Sequence, residues 1–243
     1  MDRLKFDFLK SLKLKKQVVK GFTMAEVLIT IGVIGLVAAM TLPGLINKIN
    51  LREYISLLKA DYSILSQAHL ALVAEYGTFE ASIIDCTDSK TKHNCLRDTF
   101  AKKIKSVRTC DEPYHKDDVK SSCFAEFDKI RLLNNSIATE DYLNWNGATM
   151  MLPNGSAVLF YLDDASCKYN FDGYFNYNRC GWITIDVNGN KNPNKFGIDI
   201  YVFYVMANAV KPLAYEYLHE SLQNGDCTPE SSGYSCSSIY ILK

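Results

Sequence analysis

The chain has 243 residues, and its 27 Lys and Arg balance 27 Asp and Glu at a formal net charge of zero. This balance argues against a nucleic-acid-binding domain, whose surface would be basic. The length suits one domain of ordinary size together with an appendage.

The charge is unevenly distributed along the chain. Residues 1–21 carry seven Lys and Arg against two Asp, a net charge of +5, so the rest of the chain is net −5. An uncharged apolar run follows at 27–46, and as an α-helix it would span about 30 Å, the thickness of the hydrocarbon layer of a membrane. Because the basic residues come first, the positive-inside rule predicts a single-pass segment with residues 1–20 in the cytoplasm.

Two ordinary interpretations of this segment leave residues unexplained. A plain signal anchor accounts for the charge and the apolar run, but an acidic side chain such as Glu26 is unfavourable near a bilayer core. A secretory signal peptide cleaved at the small residues 37–39 would give a chain starting at Met40. The basic region is long for such a peptide, and the apolar run continues past that point to Ile46.

The residues around Glu26 form a recognisable pattern. Lys20 to Leu28 read KGFTMAEVL, and this stretch resembles the class III signal of type IV pilins and type II secretion pseudopilins. In that family a basic leader is followed by Gly-Phe-Thr-x-x-Glu and an apolar helix. The resemblance implies cleavage after Gly21 by a prepilin peptidase on the cytoplasmic side, and N-methylation of Phe22.

The same resemblance gives Glu26 and Pro43 roles in assembly. Glu26 of an incoming subunit would pair with the Phe22 amine of its neighbour, because a buried carboxylate needs a compensating charge. Pro43 is the twenty-second residue after the cleavage point, where the family usually has a helix-kinking proline. A proline inside a helix removes a backbone donor, so we expect a kink or local melting at Pro43-Gly44.

After Pro43 the apolar residues recur at helical spacing, with charged residues between them. This pattern predicts one long helix from about Phe22 to about Tyr76, ended by Gly77. Its first half would serve the membrane and the filament, and its second half would be the spine of a globular head. A stand-alone coiled coil is the alternative, which the cysteine-rich, strand-like sequence that follows disfavours.

The remaining helices and strands are predicted from local residue composition and turn residues. Within residues 80–143, whose pattern is the least clear, one or two short helices tied by disulfides are expected near 94–105 and 121–133. Residues 147–162 predict two strands around a Pro-Asn-Gly turn, and further strands are expected at 180–187 and 196–205. The predicted fold is α+β and pilin-like, a long N-terminal helix packed on a C-terminal antiparallel sheet with disulfide-tied loops. The predicted organisation is a leader at 1–21, a transmembrane and filament-core helix at 22–46, and a head at 47–243.

All eight cysteines follow the apolar run, and none shows the paired spacing of a zinc site. Beyond a membrane, in an oxidising compartment, they are expected to form disulfides. Sequence neighbours are the simplest pairing because short loops close at low entropic cost; the alternative is that some thiols are reduced and buried. The predicted pairs are Cys86–Cys95, Cys110–Cys123, Cys167–Cys180 and Cys227–Cys236.

One loop is rich in oxygen ligands. Asp186, Asn188 and Asn190 alternate along the chain and Asp199 follows, a pattern that suits a hard cation such as calcium. Major pseudopilins are known for calcium in a loop of their C-terminal region, which adds weight to this prediction. The EF-hand pattern is not met, and such residues also simply form turns.

A second loop is rich in aromatic residues. Residues 168–182 contain several Tyr and Phe, and the loop is flanked by Cys167 and Cys180, the pair predicted to form a disulfide. They predict either a partner- or glycan-binding surface or a segment that packs on the sheet.

The sequence offers no catalytic constellation. Its four histidines, at positions 69, 93, 115 and 219, are scattered, and HExxH, GxSxG and phosphate-loop motifs are absent. We therefore expect a protein without enzymatic activity.

Together these features predict a structural subunit of a type IV pilus-like or type II secretion pseudopilus filament. Its partners would be other pilin or pseudopilin subunits, the prepilin peptidase, an inner-membrane assembly platform and the lipid bilayer, with nucleic acid only in the case of DNA uptake. It would reside in the inner membrane and then in a cell-surface or periplasmic filament. A large disulfide-rich head favours a type IV pilin-like or minor subunit. The alternative from another class is a single-pass anchored extracytoplasmic binding protein that does not polymerise.

Overall fold

The structure is a computed structural model that describes residues 21–105, 108–114, 123–138, 147–169, 179–214 and 227–242. The chain divides into two compact units, with the boundary after Lys48. Residues 170–178, which form most of the aromatic-rich loop, lie outside the described residues, as do His115 and His219.

The predicted long helix is confirmed as α1, Met24–Tyr76. It ends where Gly77 adopts a φ of +85° and donates its N–H to the Val73 carbonyl at 2.9 Å, a left-handed ending that glycine adopts without strain. α1 continues through Pro43, so the predicted local melting there is wrong.

The described strands form one antiparallel sheet in which neighbours along the chain are neighbours in space. In order they are β1 Arg108–Tyr114, β2 Gly147–Met151, β3 Ala157–Leu162, β4 Arg179–Asp186, β5 Ile200–Met206 and β6 Val210–Pro212. The predicted α+β layout of a long apolar helix and a C-terminal antiparallel sheet is therefore confirmed.

The central strands match their predictions, and the edge strands were missed. β2 and β3 flank a turn in which Gly155 has a φ of +91°. β5 begins at Ile200, later than predicted, because the preceding residues form a turn around the Asp199 carboxylate. β1 and β6 each contain a proline, which suits the edge of a sheet and weakens a strand pattern.

Three shorter helices complete the described chain. They are α2 Phe79–Ile83, α3 Lys92–Ala101 and α4 Cys236–Leu242. α3 confirms the helix expected near 94–105, but the helix expected near 121–133 is wrong. Within the described part of that stretch only a 3₁₀ turn forms, at Phe127–Lys129, and the chain there follows the sheet as irregular backbone.

The sheet is buried on both faces. On one face Phe160 and Phe203 join a cluster with Leu58 and Leu65 of α1. On the other face Leu159, Val202 and their neighbours are covered by residues 123–138. Burial on both sides explains why these strands read as nearly continuous apolar runs.

The predicted disulfide pairing is confirmed in full. The structure bonds Cys86–Cys95, Cys110–Cys123, Cys167–Cys180 and Cys227–Cys236, and leaves no cysteine free. Each bridge closes a short loop, so it constrains a local segment and does not determine the order of the strands in the sheet.

The head half of α1 also makes buried polar contacts with the sheet. The Asp61 carboxylate is fully buried and accepts a hydrogen bond from Asn154 Nδ2 at 2.7 Å. Tyr62 donates to the Val210 carbonyl at 3.2 Å, and His69 Nε2 lies 2.9 Å from the Met206 carbonyl. These contacts fix the register of α1 along the sheet.

Asp61 makes the stability of this unit depend on pH. Burial raises the pKa of Asp61 to about 6, against the hydrogen bonds from Ser156 and Asn154 that favour the charged form. In the unfolded chain its pKa is about 3.8. The folded state therefore binds the extra proton between these values, and stability is lost as pH rises from about 4 to about 6.

We expect Asp61→Asn to abolish this loss while keeping the acceptor for Asn154. The variant should match the wild type near pH 4 and exceed it at pH 7 by up to about 3 kcal/mol. Urea unfolding of the full chain in detergent micelles, at both pH values, measures the difference. Exposed Asp85→Asn is the control, and equal effects of Asp61→Asn at both pH values would contradict the assignment.

Candidate functional site

The first candidate site is the entry to α1. Gly21 and Phe22 precede the helix and are solvent-exposed, with 87% of the Phe22 surface accessible. A peptide bond in this position is outside helical backbone and open to an enzyme. The structure thus places the predicted processing residues where cleavage requires no unwinding of α1.

Glu26 forms a reciprocal capping box with Thr23. The Thr23 backbone N–H and hydroxyl both donate to Glu26 Oε2 at 2.8 Å, and the Glu26 N–H donates to Thr23 Oγ1 at 3.2 Å. Such a box satisfies backbone donors at a helix N-terminus, and the carboxylate also complements the helix dipole. The Thr-x-x-Glu spacing is typical of this contact. The prediction from the sequence assigned Glu26 only a partner in a neighbouring subunit and missed the contact with Thr23.

The helix that follows carries an exposed apolar surface. Within residues 21–46 no side chain is buried. α1 contains a stretch long and apolar enough to cross a membrane. A side chain added at Gly32 or Gly35 would meet no other atom, so both glycines present bare backbone to whatever packs there. This surface requires lipid or other helices to cover it.

The second candidate site lies between β4 and β5. Antiparallel pairing sets Asp186 opposite Ile200, and the Val187 N–H donates to the Asp199 carbonyl at 2.9 Å. The hairpin therefore brings two aspartates that are thirteen positions apart in sequence to one end of the sheet. Both are fully buried.

The Asp199 carboxylate organises the loop between these strands. Its oxygens accept backbone N–H bonds from Asn194 at 2.9 Å and Lys195 at 2.6 Å. Asn188 Nδ2 lies 3.1 Å from Asp199 Oδ2, and it also faces the Tyr54 hydroxyl and the Asn192 carbonyl, each at 3.2 Å. Because three acceptors surround Asn188 Nδ2, the Oδ1 atom of the same amide points away from them.

Three oxygens of this loop have no partner. Asp186 Oδ2, Asn188 Oδ1 and Asn194 Oδ1 are buried and accept no hydrogen bond from the described residues. Buried polar atoms are normally satisfied, and a group of unsatisfied acceptors within one loop indicates a missing donor or cation. We name Asp186, Asn188, Asn194 and Asp199 the β4–β5 oxygen cluster.

The charges of the oxygen cluster are also uncompensated. Burial, and then the nearby Asp199 charge, raises the pKa of Asp186 well above its ordinary value. Burial raises the pKa of Asp199 to about 6, although three neighbouring N–H groups favour its charged form. Among the described residues no Lys or Arg forms an ion pair with either carboxylate, and Lys195 Nζ instead bonds to Asn135.

The oxygen cluster fits a hard cation, with one change to the predicted ligand set. Carboxylate and amide oxygens are the ligands of calcium. Asp186, Asn188 and Asp199 are brought together as predicted, whereas Asn190 is exposed and Asn194 is buried instead. The turn that buries Asn194 depends on Asp199, a tertiary contact that alternation along the chain does not reveal. Among the described residues, no group of three or more His, Cys, Asp or Glu side chains is arranged to hold a metal ion, so a cation here would also need the asparagine oxygens.

Of the described ends of the aromatic-rich loop, the one at Arg179 is buried, whereas Lys168 and Tyr169 at the other end are exposed. The Arg179 guanidinium lies 4.1 Å from the centre of the Trp182 ring and pairs with Asp163 at 2.7 Å.

Of the described histidines, His69 and His93 are buried and hydrogen-bonded to backbone groups. Burial lowers the pKa of both, so they are neutral packing residues at pH 7.

Comparison with known proteins adds no relative. No family model, no curated protein and no solved structure matches this chain. Function has to be argued from the two candidate sites.

Proposed function

We propose that this chain is a prepilin-type filament subunit with a pilin-like fold. In this proposal it is inserted as a single-pass precursor, cleaved after Gly21, N-methylated at Phe22 and polymerised through residues 22–46. The filament is a type IV pilus-like structure or a type II secretion pseudopilus. The subunit acts by assembly and has no catalytic role.

The observation that carries the proposal is the entry to α1. An exposed Gly-Phe bond, a threonine-capped glutamate and an apolar helix with no buried side chain follow one another within residues 21–46. Anchoring alone requires the apolar helix. It does not require an acidic residue at the entry to the membrane, which is unfavourable in lipid.

The capping box explains how Glu26 is tolerated before assembly. Two donors from Thr23 share its carboxylate within a single subunit. On assembly, the cationic amine created at Phe22 of a neighbour offers a stronger, charge-assisted partner. The difference between these two environments favours the filament and sets the register of incoming subunits.

The alternative function is a single-pass anchored binding protein outside the cytoplasm. The disulfide-bonded unit after Lys48 is compatible with it. The two functions differ in what they require at Gly21 and Glu26, and the next two experiments separate them.

Processing is tested by the intact mass and N-terminal sequence of the protein extracted from the membranes of its native cell. We expect the chain to begin at Phe22 and to carry one additional methyl group on that residue. A chain that begins at Met1 would indicate an uncleaved anchor. A chain that begins at Met40 would indicate an ordinary secreted protein.

Assembly is tested by Glu26→Gln, which removes the charge and keeps an acceptor for the capping box. We expect filaments in the sheared-cell fraction to fall below about a tenth of wild type, with an unchanged amount of subunit in the membrane. Glu53→Gln, an exposed acid of the same helix, is the control. If Glu26→Gln assembles normally and Glu26→Ala does not, the capping box alone is required and the charge pair is wrong.

We further propose that the β4–β5 oxygen cluster binds calcium. Its unsatisfied oxygens and its two buried carboxylates supply ligands and negative charge, and Asp186, Asn188, Asn194 and Asp199 would hold the ion. Calcium would compensate the buried charge and stabilise the loop between the strands. Its role is structural.

Calcium binding is tested by thermal unfolding of the full chain in detergent micelles, with and without calcium. A ligand in hundredfold excess over its dissociation constant stabilises by about 2.7 kcal/mol, so we expect a Tm increase of several degrees. Asp186→Asn should abolish the increase, because it removes a carboxylate that calcium would hold in its charged form. Asp164→Asn, which alters a more exposed loop, should retain the increase. A Tm unaffected by calcium in the wild type would refute the site.

A further inference from the structure

We infer that the Cys227–Cys236 disulfide positions the β4–β5 oxygen cluster, so that cation affinity depends on this bridge and not on disulfides in general. This inference rests on the proposed calcium site. It assigns the C-terminal bridge a function beyond the stability that a closed loop provides.

The bridge packs directly against the loop that carries the ligands. A Cβ atom on Gly197 would lie 2.7 Å from Cys236 Sγ and 3.3 Å from Gly233 Cα. A Cβ on Gly233 would lie 2.6 Å from the Phe196 carbonyl oxygen. Two glycines therefore allow backbone and disulfide to meet without an intervening side chain, two positions before Asp199.

Hydrogen bonds continue this contact to a second ligand. The Arg131 N–H donates to the Asn194 carbonyl at 3.0 Å, and the Phe196 N–H donates to the Arg131 carbonyl at 3.0 Å. The next residues of the same segment reach the disulfide loop, where the Leu133 N–H donates to the Ser232 carbonyl at 2.8 Å. Asn194 is thus fixed through residues 131–133 to the loop that the bridge closes.

Helix α4 attaches the bridge to β5. The buried Ser237 hydroxyl, next to Cys236, donates to the Val202 carbonyl at 2.8 Å. The Tyr240 ring meets the Tyr201 ring edge to face, with centroids 5.9 Å apart. The C-terminal segment therefore packs against β5, the strand that begins directly after Asp199.

This support matters because the ligand loop has little regular structure of its own. Between β4 and β5 the backbone forms turns, and three buried side-chain oxygens of the cluster accept no hydrogen bond from the described residues. Such a loop binds a cation tightly only if its ligands are already in place, since ordering them on binding lowers affinity. Opening the bridge would remove a constraint on residues 227–236, which contact the ligand loop at Phe196 and Gly197.

The chain contains a matched control for this inference. Cys86–Cys95 and Cys227–Cys236 both have a sequence separation of 9, so loop-closure entropy alone predicts similar losses of stability. Cys86–Cys95 ties the connection between α2 and α3 and not the β4–β5 loop. We compare Cys227→Ala/Cys236→Ala with Cys86→Ala/Cys95→Ala, as full chains in detergent micelles, by calorimetric titration with calcium.

We expect calcium binding to weaken by about tenfold or more in the Cys227/Cys236 variant and to stay within about twofold of wild type in the control. Equal loss in both variants would show general loosening and overturn the inference, as would unchanged binding in the Cys227/Cys236 variant. Absence of binding in the wild type would instead refute the calcium site itself.

A second pair of variants covers the case in which a bridge-less chain does not fold. Ser237→Ala keeps all disulfides and removes only the α4 contact with β5, and Thr99→Val removes a buried hydroxyl of α3 that bonds to the Cys95 carbonyl. We expect weaker calcium binding in Ser237→Ala and wild-type binding in Thr99→Val. Wild-type binding in Ser237→Ala would overturn the inference.

Discussion

The burial of apolar surface along α1 is the constraint on which the rest of the protein depends. Beyond residue 49 the helix places Leu58, Leu65 and other apolar side chains against one face of the sheet, and the chain itself supplies that cover. Residues 24–46 bury no side chain within the chain. The first half of the longest helix therefore has an apolar surface that the chain itself does not cover, and such a surface is normally covered by lipid or by other protein.

The same dependence on outside partners appears at the two acidic sites. Glu26 has a partner inside the chain, because Thr23 donates to it twice; in the proposed filament the Phe22 amine of a neighbouring subunit would replace that partner. The β4–β5 oxygen cluster has too few donors among the described residues, since one oxygen of Asp186 and two asparagine oxygens are buried and accept no hydrogen bond from them. Under the proposed function, the first acid changes its partner on assembly, and the oxygen cluster gains a cation that completes it.

Local patterns in the sequence were sufficient where the structure is itself local. The helix to Tyr76, the turn at Gly155 and the four short-range disulfides follow from spacing, glycine placement and loop-closure entropy. The missed elements depend on tertiary contacts. β1 and β6 form where a neighbouring strand offers hydrogen bonds. Residues 123–138, where a short helix was predicted, instead pack on one face of the sheet. Asn194 became a candidate ligand only through the turn that Asp199 holds.

Short-range disulfides have a particular value in a head built this way. A bridge that closes a loop of nine residues constrains the unfolded chain only modestly, and it leaves the strand order of the sheet unaffected. What such a bridge does well is fix one local segment against another. At Gly197 the backbone approaches Cys236 Sγ, and at Gly233 it approaches the Phe196 carbonyl oxygen, too closely for a side chain at either position. The placement of the glycines therefore connects the C-terminal disulfide to the loop that holds Asp199.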